Sequence, residues 1–213
     1  MFLLNEELIF PPVELADDDG VLAIGGDLST ERLILAYKNG IFPWYNEGEP
    51  IMWWSPDPRF VLFPAELKVS RSMQRIINAG HFSFTVNKAF SEVIDRCSSI
   101  KRKEQPGTWI TNAVKTAYTQ LHKLGIAHSA ETWLDGKLVG GLYGVRMGHV
   151  FCGESMFSEV SNASKFAFIQ YVQQLEKEGI ALIDCQVYTA HLESLGACMI
   201  ERKKFLEILQ QHR

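Results

Sequence analysis

The stretch from residue 127 to residue 157, AHSAETWLDGKLVGGLYGVRMGHVFCGESMF, constrains the fold of this chain most strongly. Runs of apolar and β-branched residues alternate there with turn-forming residues, which predicts strand, turn, strand, turn, strand. Asp135-Gly136 stands between the first two runs, and this dipeptide is a strong signal for a two-residue hairpin turn. We therefore expect a set of consecutive strands in the second half of the chain.

The patterns on either side predict the remaining elements. Ser161-Asn162 precedes a helical pattern from 163 to about 177, and the apolar run 181–188 follows as a strand. The second half thus reads β–β–β–α–β–α–β, which suggests an α+β domain with one face open for a ligand. We also predict helices over 31–39, 71–78, 88–97, 111–124, 191–195 and 203–212, and strands over 59–63, 81–87 and 198–200.

The first half contains an aromatic segment from 41 to 63, IFPWYNEGEPIMWWSPDPRFVLF. It holds three of the chain's five tryptophans and four prolines. Prolines at this density leave little room for regular structure, so we expect a shaped loop that leads into the strand over 59–63.

Composition excludes several classes of protein. The chain has 213 residues, of which 46% are hydrophobic, and no run of eighteen apolar residues, so we expect a globular core and no transmembrane helix. The N-terminus lacks the basic region of a signal peptide. Four scattered cysteines without a CxxC pair favour a reduced cytoplasmic protein over a disulfide or zinc framework. The net charge of −4 argues against a general nucleic-acid binder but leaves room for a local basic patch.

The predicted strand ALIDCQVY, residues 181–188, contains two polar residues among apolar ones. Asp184 and Gln186 are two positions apart, so a regular strand would point both to one face. One interpretation is the solvated face of a strand near a sheet edge. The other is a polar pair that holds a reacting group, because a carboxylate can take a proton from an amine and Gln can orient a group without titrating.

The segment GESMFS, residues 153–158, is either a strand-to-loop transition or part of a site. In the second interpretation, Glu154 contacts a cationic substrate and Ser155 supplies a hydrogen bond. The segment is not a GxSxG nucleophile motif, because it lacks the second glycine.

Aromatic and basic residues give a further hypothesis. Four tryptophans have two possible roles: Trp44, Trp53, Trp54 and Trp109. They are either core residues or platforms on which a base stacks. The second role is considered because three of them lie in the proline-rich loop, and loops usually run over a surface. Five basic residues are candidates for phosphate contacts, although a charge run is usually a solvated loop. They are Arg71, Arg75, Lys101, Arg102 and Lys103. The histidines lack metal-ligand spacing and no phosphate-binding glycine loop is present, so we expect no metal and no cofactor.

Taken together, these segments resemble the leucyl/phenylalanyl-tRNA–protein transferase family. The matching segments follow the family's order over nearly the whole chain: LAIGGDLS (22–29), GIFPW (40–44), WWSPDPR (53–59), TWI (108–110), LVGGLYG (138–144), FCGESMFS (151–158), ASK (163–165), DCQ (184–186) and HLESLGA (191–197). The resemblance implies an enzyme that moves Leu or Phe, and also Met, from aminoacyl-tRNA to the N-terminal amine of a protein that begins with Arg or Lys. The product is an N-terminal degradation signal.

The resemblance also implies a fold and a set of partners. The fold is α+β, with a small N-terminal α/β domain over 1–65 that carries the Trp/Pro-rich loop and an acetyltransferase-like (GNAT-type) mixed-sheet domain over 66–213; the boundary falls between 65 and 105. We expect a cytoplasmic monomer that uses no metal or coenzyme and has neither a membrane nor a DNA partner.

Individual roles follow from the same resemblance. Asp184 and Gln186 are the catalytic pair, and Trp44 and Trp109 bind the 3′-terminal adenosine of the tRNA. The pocket for the aminoacyl side chain is lined by Leu142, Phe151, Phe168, Tyr171 and Ile183. From the residues themselves, and not from the resemblance, we expect Glu154 and Ser155 to meet the acceptor peptide and the five basic residues to meet tRNA phosphates.

Two functions of other kinds stay open. An acyl-coenzyme A N-acetyltransferase on the same fold should show a Q/R-x-x-G-x-G/A pyrophosphate loop before a helix, and the sequence has none. A non-catalytic RNA-binding module would bind deacylated RNA comparably and transfer nothing.

Overall fold

The computed structural model describes residues 2–100 and 109–211. The strands are β1 (Phe2–Leu4), β2 (Val21–Gly25), β3 (Phe42–Pro43), β4 (Met52–Trp54), β5 (Arg59–Leu62), β6 (Ser83–Val86), β7 (Ala127–Leu134), β8 (Lys137–Met147), β9 (Val150–Ser158), β10 (Leu182–Gln186) and β11 (Cys198–Ile200). The helices are α1 (Thr30–Lys38), α2 (Arg71–Ala79), α3 (Phe90–Ser99), α4 (Asn112–Lys123), α5 (Ala163–Lys177), α6 (Ala190–Glu193) and α7 (Arg202–Gln211). Short 3₁₀ helices lie at Val13–Leu15 and Pro64–Glu66.

The larger sheet has seven strands in the order β11-β5-β10-β9-β8-β7-β6. Its strand pairs are antiparallel except for β9 and β10, which α5 joins as a crossover helix. The three consecutive strands are confirmed as β7, β8 and β9. Asp135 and Gly136 both have positive φ, 50° and 74°, as the predicted two-residue hairpin turn requires.

The smaller sheet lies in the N-terminal part, in the order β1-β2-β4-β3. The prediction of a loop without regular structure over 41–58 was wrong in part, because β3 and β4 pair there. Pro43 fits this sheet because β3 is an edge strand, where a missing N–H is tolerated. The α+β class, with a small N-terminal sheet before a larger mixed sheet, is confirmed.

The division at residue 65 stays a prediction. β5 lies before that residue but pairs with β10 and β11 of the larger sheet.

The helices predicted over 31–39, 71–78 and 111–124 are confirmed, and each begins within one residue of its predicted start. The side chains of Ser29, Ser70 and Thr111 each accept a hydrogen bond from the backbone N–H three residues on. The helix expected at 88–97 begins later, at Phe90, and the carboxylate of Glu131 accepts from the N–H groups just before it.

Helices cover both faces of the larger sheet. One apolar core, which includes Phe151, Phe166 and Ile183, joins the sheet to α5 and α2. A second core, which includes Trp53 and Tyr118, joins the opposite face to α1, α3, α4 and the smaller sheet. The seven-stranded sheet is therefore a central layer, and a site at its parallel strand pair is framed by residues from both cores. Within the described residues, no helix has the length and apolarity needed to cross a bilayer.

Candidate active site

The site lies where β9 and β10 separate. Their parallel pairing covers only Leu182 to Asp184 against Val150 to Cys152. Beyond that point β9 continues beside β8, while β10 continues beside β5. The gap between the two strands opens into a cavity of about 400 Å³.

One end of the cavity is apolar. Leu142, Phe151, Phe168 and Ile183, four of the five residues predicted for the side-chain pocket, line it. Tyr171, the fifth, does not border the cavity but packs edge-on against Phe151, with ring centroids 5.0 Å apart. The apolar residues of the cavity therefore lie on the face of the sheet that is covered by α5.

The other end is polar, and two irregular strand pairings shape it. On β9, Tyr143 pairs with Ser155 but Gly144 pairs with Gly153, so Glu154 is the extra residue of a β-bulge. On β10, the pairing with β5 shifts between Asp184 and Gln186, and Gln186 has a φ of 66°. As a result the side chain of Gln186 reaches Glu154, with its Nε2 donating to Oε1 at 2.9 Å.

Asp184 is held by an arginine that the sequence did not single out. Nε and Nη2 of Arg59 donate to its two carboxylate oxygens at 2.8 and 2.7 Å. Both residues are almost wholly buried, at 0% and 1% exposure. The guanidinium lies 4.7 Å from the ring centroids of both Phe42 and Phe205. The backbone N–H of Gln186 also donates to the Asp184 carboxylate, at 3.0 Å.

Asp184 borders the cavity, but its side chain is only 1% exposed and both of its carboxylate oxygens are engaged by Arg59. The carboxylate also fixes the backbone of Gln186 at the bulge. Direct contact of Asp184 with a substrate stays a prediction.

Glu154 has neutral partners instead. The hydroxyl of Tyr37 donates to its Oε1 at 2.7 Å, and that of Tyr118 donates to its Oε2 at 3.2 Å. The two tyrosine hydroxyls also lie within hydrogen-bonding distance of each other. Burial raises the pKa of Glu154 to about 7, although hydrogen bonds from the two tyrosines and from Gln186 act to lower it. Glu154 therefore exists in both protonation states near neutral pH.

Three other cavity residues carry polar or reactive groups. Ser155, predicted together with Glu154 to meet the acceptor peptide, is nearly buried and lines the cavity. Burial raises the pKa of the Cys185 thiol, so this cavity residue is not a ready thiolate nucleophile. Burial, together with Lys165, lowers the pKa of His191 and favours its neutral imidazole. Over residues 2–100 and 109–211, no three His, Cys, Asp or Glu side chains group as a metal site would require.

The two tryptophans predicted to bind the terminal adenosine are not among the residues that line the cavity. Trp44 is half-buried, with its ring centroid 5.5 Å from that of Trp54, and Trp109 is buried. Adenosine stacking by Trp44 and Trp109 stays a prediction. The interpretation of Trp53 as an exposed platform was wrong, because it is fully buried.

The basic candidates divide into two groups. Arg71 and Arg75 are exposed on α2, one helical turn apart. Lys101, Arg102 and Lys103 lie outside the described residues. Phosphate binding by all five stays a prediction.

Sequence reasoning missed Arg59, Tyr37 and Tyr118 as parts of the site. A charged residue at the start of the apolar run RFVLF was the available signal for Arg59. The tyrosines gave no comparable signal, because each occupies an apolar position of an amphipathic helix and resembles an ordinary core residue.

Comparison with known families assigns this chain to a class of transferases. The family model described as leucyl/phenylalanyl-tRNA protein transferase matches residues 61–210. The model for the N-terminal domain of the same transferase matches residues 26–57. The chain belongs to the leucyl/phenylalanyl-tRNA–protein transferase family.

Relatives match along the whole chain. A leucyl/phenylalanyl-tRNA–protein transferase of Flavobacterium johnsoniae is 61% identical over 210 residues, which cover 99% of each chain. One from Syntrophobacter fumaroxidans is 57% identical over 212 residues, covering 100% of this chain and 91% of the relative. Among solved structures, a GCN5-related N-acetyltransferase from Kribbella flavida matches with a TM-score of 0.40 and 12% identity, over 78% of this chain and 58% of that one.

Proposed function

We propose that this protein transfers Leu or Phe, and also Met, from aminoacyl-tRNA to the N-terminal Arg or Lys of acceptor proteins. A peptide bond forms, and the new N-terminal residue marks the acceptor for degradation. The observation that carries the proposal is the apolar cavity between β9 and β10, with polar groups at its other end, in a chain of this family.

The apolar end suits the donor side chain. Leu142, Phe151, Phe168 and Ile183 offer no polar group, so they disfavour charged and polar side chains strongly. A methylene difference changes binding by only about 1–3 kcal/mol, which explains why Met would be accepted beside Leu and Phe.

The chemistry needs positioning more than a strong nucleophile, because the aminoacyl ester is already activated. An α-amine has a pKa of about 7.7–8.0, so a useful fraction is neutral near pH 7. Holding amine and ester together can supply roughly 7–11 kcal/mol of the barrier. We propose direct attack of the amine on the ester, with no acyl-enzyme, no metal and no coenzyme.

Within this proposal Gln186 orients the amine or the tetrahedral oxygen, and Asp184 with Arg59 holds Gln186 in place. Glu154 was predicted to contact the acceptor's cationic side chain. With a pKa of about 7, the Glu154 carboxyl group attracts a cation less at neutral pH than a fully ionised carboxylate does.

The partners follow from the reaction. The donor is Leu-, Phe- or Met-tRNA, with Trp44 and Trp109 proposed at the terminal adenosine and the basic residues at phosphates. The acceptor is a protein with N-terminal Arg or Lys. Because aminoacyl-tRNA is the donor, we propose a cytoplasmic monomer that needs neither a membrane nor DNA.

One assay tests the proposal against its rivals. The protein is incubated with a peptide that begins with Arg and with either labelled Leu-tRNA or labelled acetyl-coenzyme A. We expect label to move from Leu-tRNA only, and a peptide that begins with Asp serves as the control acceptor. Transfer from acetyl-coenzyme A would identify an N-acetyltransferase, and RNA binding without any transfer would identify a binding module.

A further inference from the structure

The three oxygen-bearing side chains of Glu154, Tyr37 and Tyr118 form a closed triangle. Each tyrosine hydroxyl contacts the carboxyl group, and the two hydroxyls contact each other. Three hydrogen bonds need three protons, but two tyrosines supply only two. With Glu154 ionised, one contact of the triangle therefore has no proton.

A proton on Glu154 completes the triangle. Oε1 already accepts from Tyr37 and from Gln186, whereas Oε2 accepts only from Tyr118, so Oε2 has the open lone pair. With a proton there, Oε2 donates to Tyr118, Tyr118 donates to Tyr37, and Tyr37 donates to Oε1. Every contact is then a hydrogen bond in one cyclic, mutually polarising chain.

The triangle is buried beneath the polar end of the cavity. Tyr37 and Tyr118 are 2% and 0% exposed, while Glu154 itself borders the cavity beside Gln186. The tyrosines come from α1 and α4, and Glu154 comes from the bulge of β9. Burial keeps both phenols protonated, because it raises their pKa well above the usual value. The only group of the triangle that can exchange a proton with a bound substrate is therefore Glu154.

We propose that Glu154 is the proton shuttle of the transfer reaction and that Tyr37 and Tyr118 are positioning residues that hold it ready; this rests on the proposed aminoacyl transfer. As the neutral amine nitrogen forms its bond to the ester carbon, it gives one proton to the Glu154 carboxylate. The bond between that carbon and the ribose oxygen then breaks, and its electron pair leaves with the oxygen. Glu154 passes the same proton to this oxygen, so the ribose hydroxyl is restored and the carboxylate returns to its first state.

The near-neutral pKa of Glu154, about 7, suits both halves of this exchange. Other titratable groups face the same region from each neighbouring element. They are Tyr143 on β8, Cys152 on β9, Asp184 and Cys185 on β10 with Arg59 on β5, and His191 on α6 at the cavity wall. Of these, Asp184 is paired, and Cys152 and Cys185 have raised pKa values because they are buried, so His191 is the rival proton acceptor.

The test measures single-turnover transfer of labelled Leu from Leu-tRNA to a saturating Arg-peptide between pH 5.5 and 8.5. In the wild type, the transfer rate should depend on deprotonation of both Glu154 and the acceptor amine. The logarithm of the rate, plotted against pH, should therefore rise with a slope of about two at acid pH. Glu154→Gln keeps the size and the contact to Gln186 but cannot carry the proton. We expect a rate about 10²–10⁴-fold lower, a slope of one, and donor binding changed less than threefold.

Tyr37→Phe tests the positioning role, because it removes one hydroxyl but keeps the ring. Its hydrogen bond favours the ionised carboxylate, so its loss should move the first ionisation to higher pH. We expect a rate about tenfold lower at pH 7 that recovers at pH 8.5, whereas a purely structural defect would lower the rate equally at both. His191→Asn is the control and should keep the slope of two.

The outcomes separate this inference from the function on which it rests. No wild-type transfer from Leu-tRNA would overturn the proposed function itself. Wild-type transfer with a Glu154→Gln variant that keeps its rate and slope would overturn the shuttle alone. A Glu154→Gln variant that only raises the acceptor KM would make Glu154 a binding residue and would contradict the shuttle. A slope of one instead of two in His191→Asn would make His191 the proton acceptor and would contradict it as well.

Discussion

Two carboxyl groups, Asp184 on β10 and Glu154 on β9, lie on neighbouring strands beneath one cavity, yet their partners differ. Asp184 pairs with a guanidinium, a permanent cation, in a buried two-point contact. Within the described residues, Glu154 receives hydrogen bonds from two hydroxyls and an amide, none of which carries a charge. The first carboxylate is thus part of a buried ion pair, whereas neutral partners leave the second able to titrate near pH 7.

The largest expected effect comes from removing the charged partner. Arg59→Met should lower the free energy of unfolding by about 3–5 kcal/mol, because it leaves the buried Asp184 charge without its counter-ion. Urea unfolding at pH 7 measures the change. The control is Arg146→Met, since Arg146 pairs with Glu178 in a half-exposed ion pair that should contribute about 1 kcal/mol or less. Equal losses in the two variants would contradict the view that the Arg59 pair is the structural one.

Removing both partners separates stability from activity. Replacing a buried ion pair by apolar residues of similar size is often neutral or stabilising, so Arg59→Met with Asp184→Leu should regain most of the stability. It should not regain transfer activity, because Gln186 N–H loses the carboxylate that fixes the bulge. A double variant that is both stable and active would show that Asp184 does not position Gln186.

The titration of Glu154 should make the free energy of unfolding depend on pH. Its pKa in the folded protein, about 7, lies above the usual 4.5, so folding favours the protonated form. The stabilisation that the folded protein gains from protonated Glu154 is fully present below pH 4.5 and is lost as the pH rises through 7. It amounts to at most about 3 kcal/mol in the free energy of unfolding. We expect wild type to lose stability relative to Glu154→Gln between pH 5 and pH 8, measured by urea unfolding at each pH. A difference that stays constant over this range would contradict the titration of Glu154.

The parts of the fold that the sequence predicted depend on local patterns. The alternation over 127–157 and the turn at Asp135-Gly136 predicted β7 to β9, and helical patterns predicted the helices over 31–39, 71–78 and 111–124 to within a residue of their starts. The strands of the smaller sheet, two to five residues long, were missed, because such short strands are defined by their pairing partners rather than by their own periodicity.

The sequence predicted individual candidate residues of the site but not which of them contact each other. The resemblance, with the segment GESMFS added for Glu154, named Asp184, Gln186 and the apolar residues as candidates, and most of them line one cavity while their roles stay predictions. It did not show that Asp184 would bind Arg59, 125 positions away, or that Tyr37 and Tyr118, 81 positions apart, would meet at Glu154. Partner choice at these separations depends on tertiary packing, and the same choice decides which carboxyl group is fixed and which one titrates.

The smallest expected effect tests the gap between the strands that carry the two carboxyl groups. A methyl group added at Gly153 would meet only the carbonyl oxygen of Asp184, at 3.7 Å, so Gly153→Ala should change the free energy of unfolding by less than about 0.5 kcal/mol. The same change at Gly144, on the neighbouring strand β8, would place the methyl carbon 2.2 Å from the carbonyl oxygen of Cys152 and should destabilise the sheet strongly.

Because Gly153 borders the cavity, its methyl variant should still weaken donor binding by about 1 kcal/mol, a several-fold rise in the KM for Leu-tRNA. The acceptor KM should stay the same if the donor occupies this gap. A stable Gly153→Ala protein with an unchanged donor KM would show that the donor does not use the opening between β9 and β10, and Glu154 would then lie too far from the reacting ester to serve it.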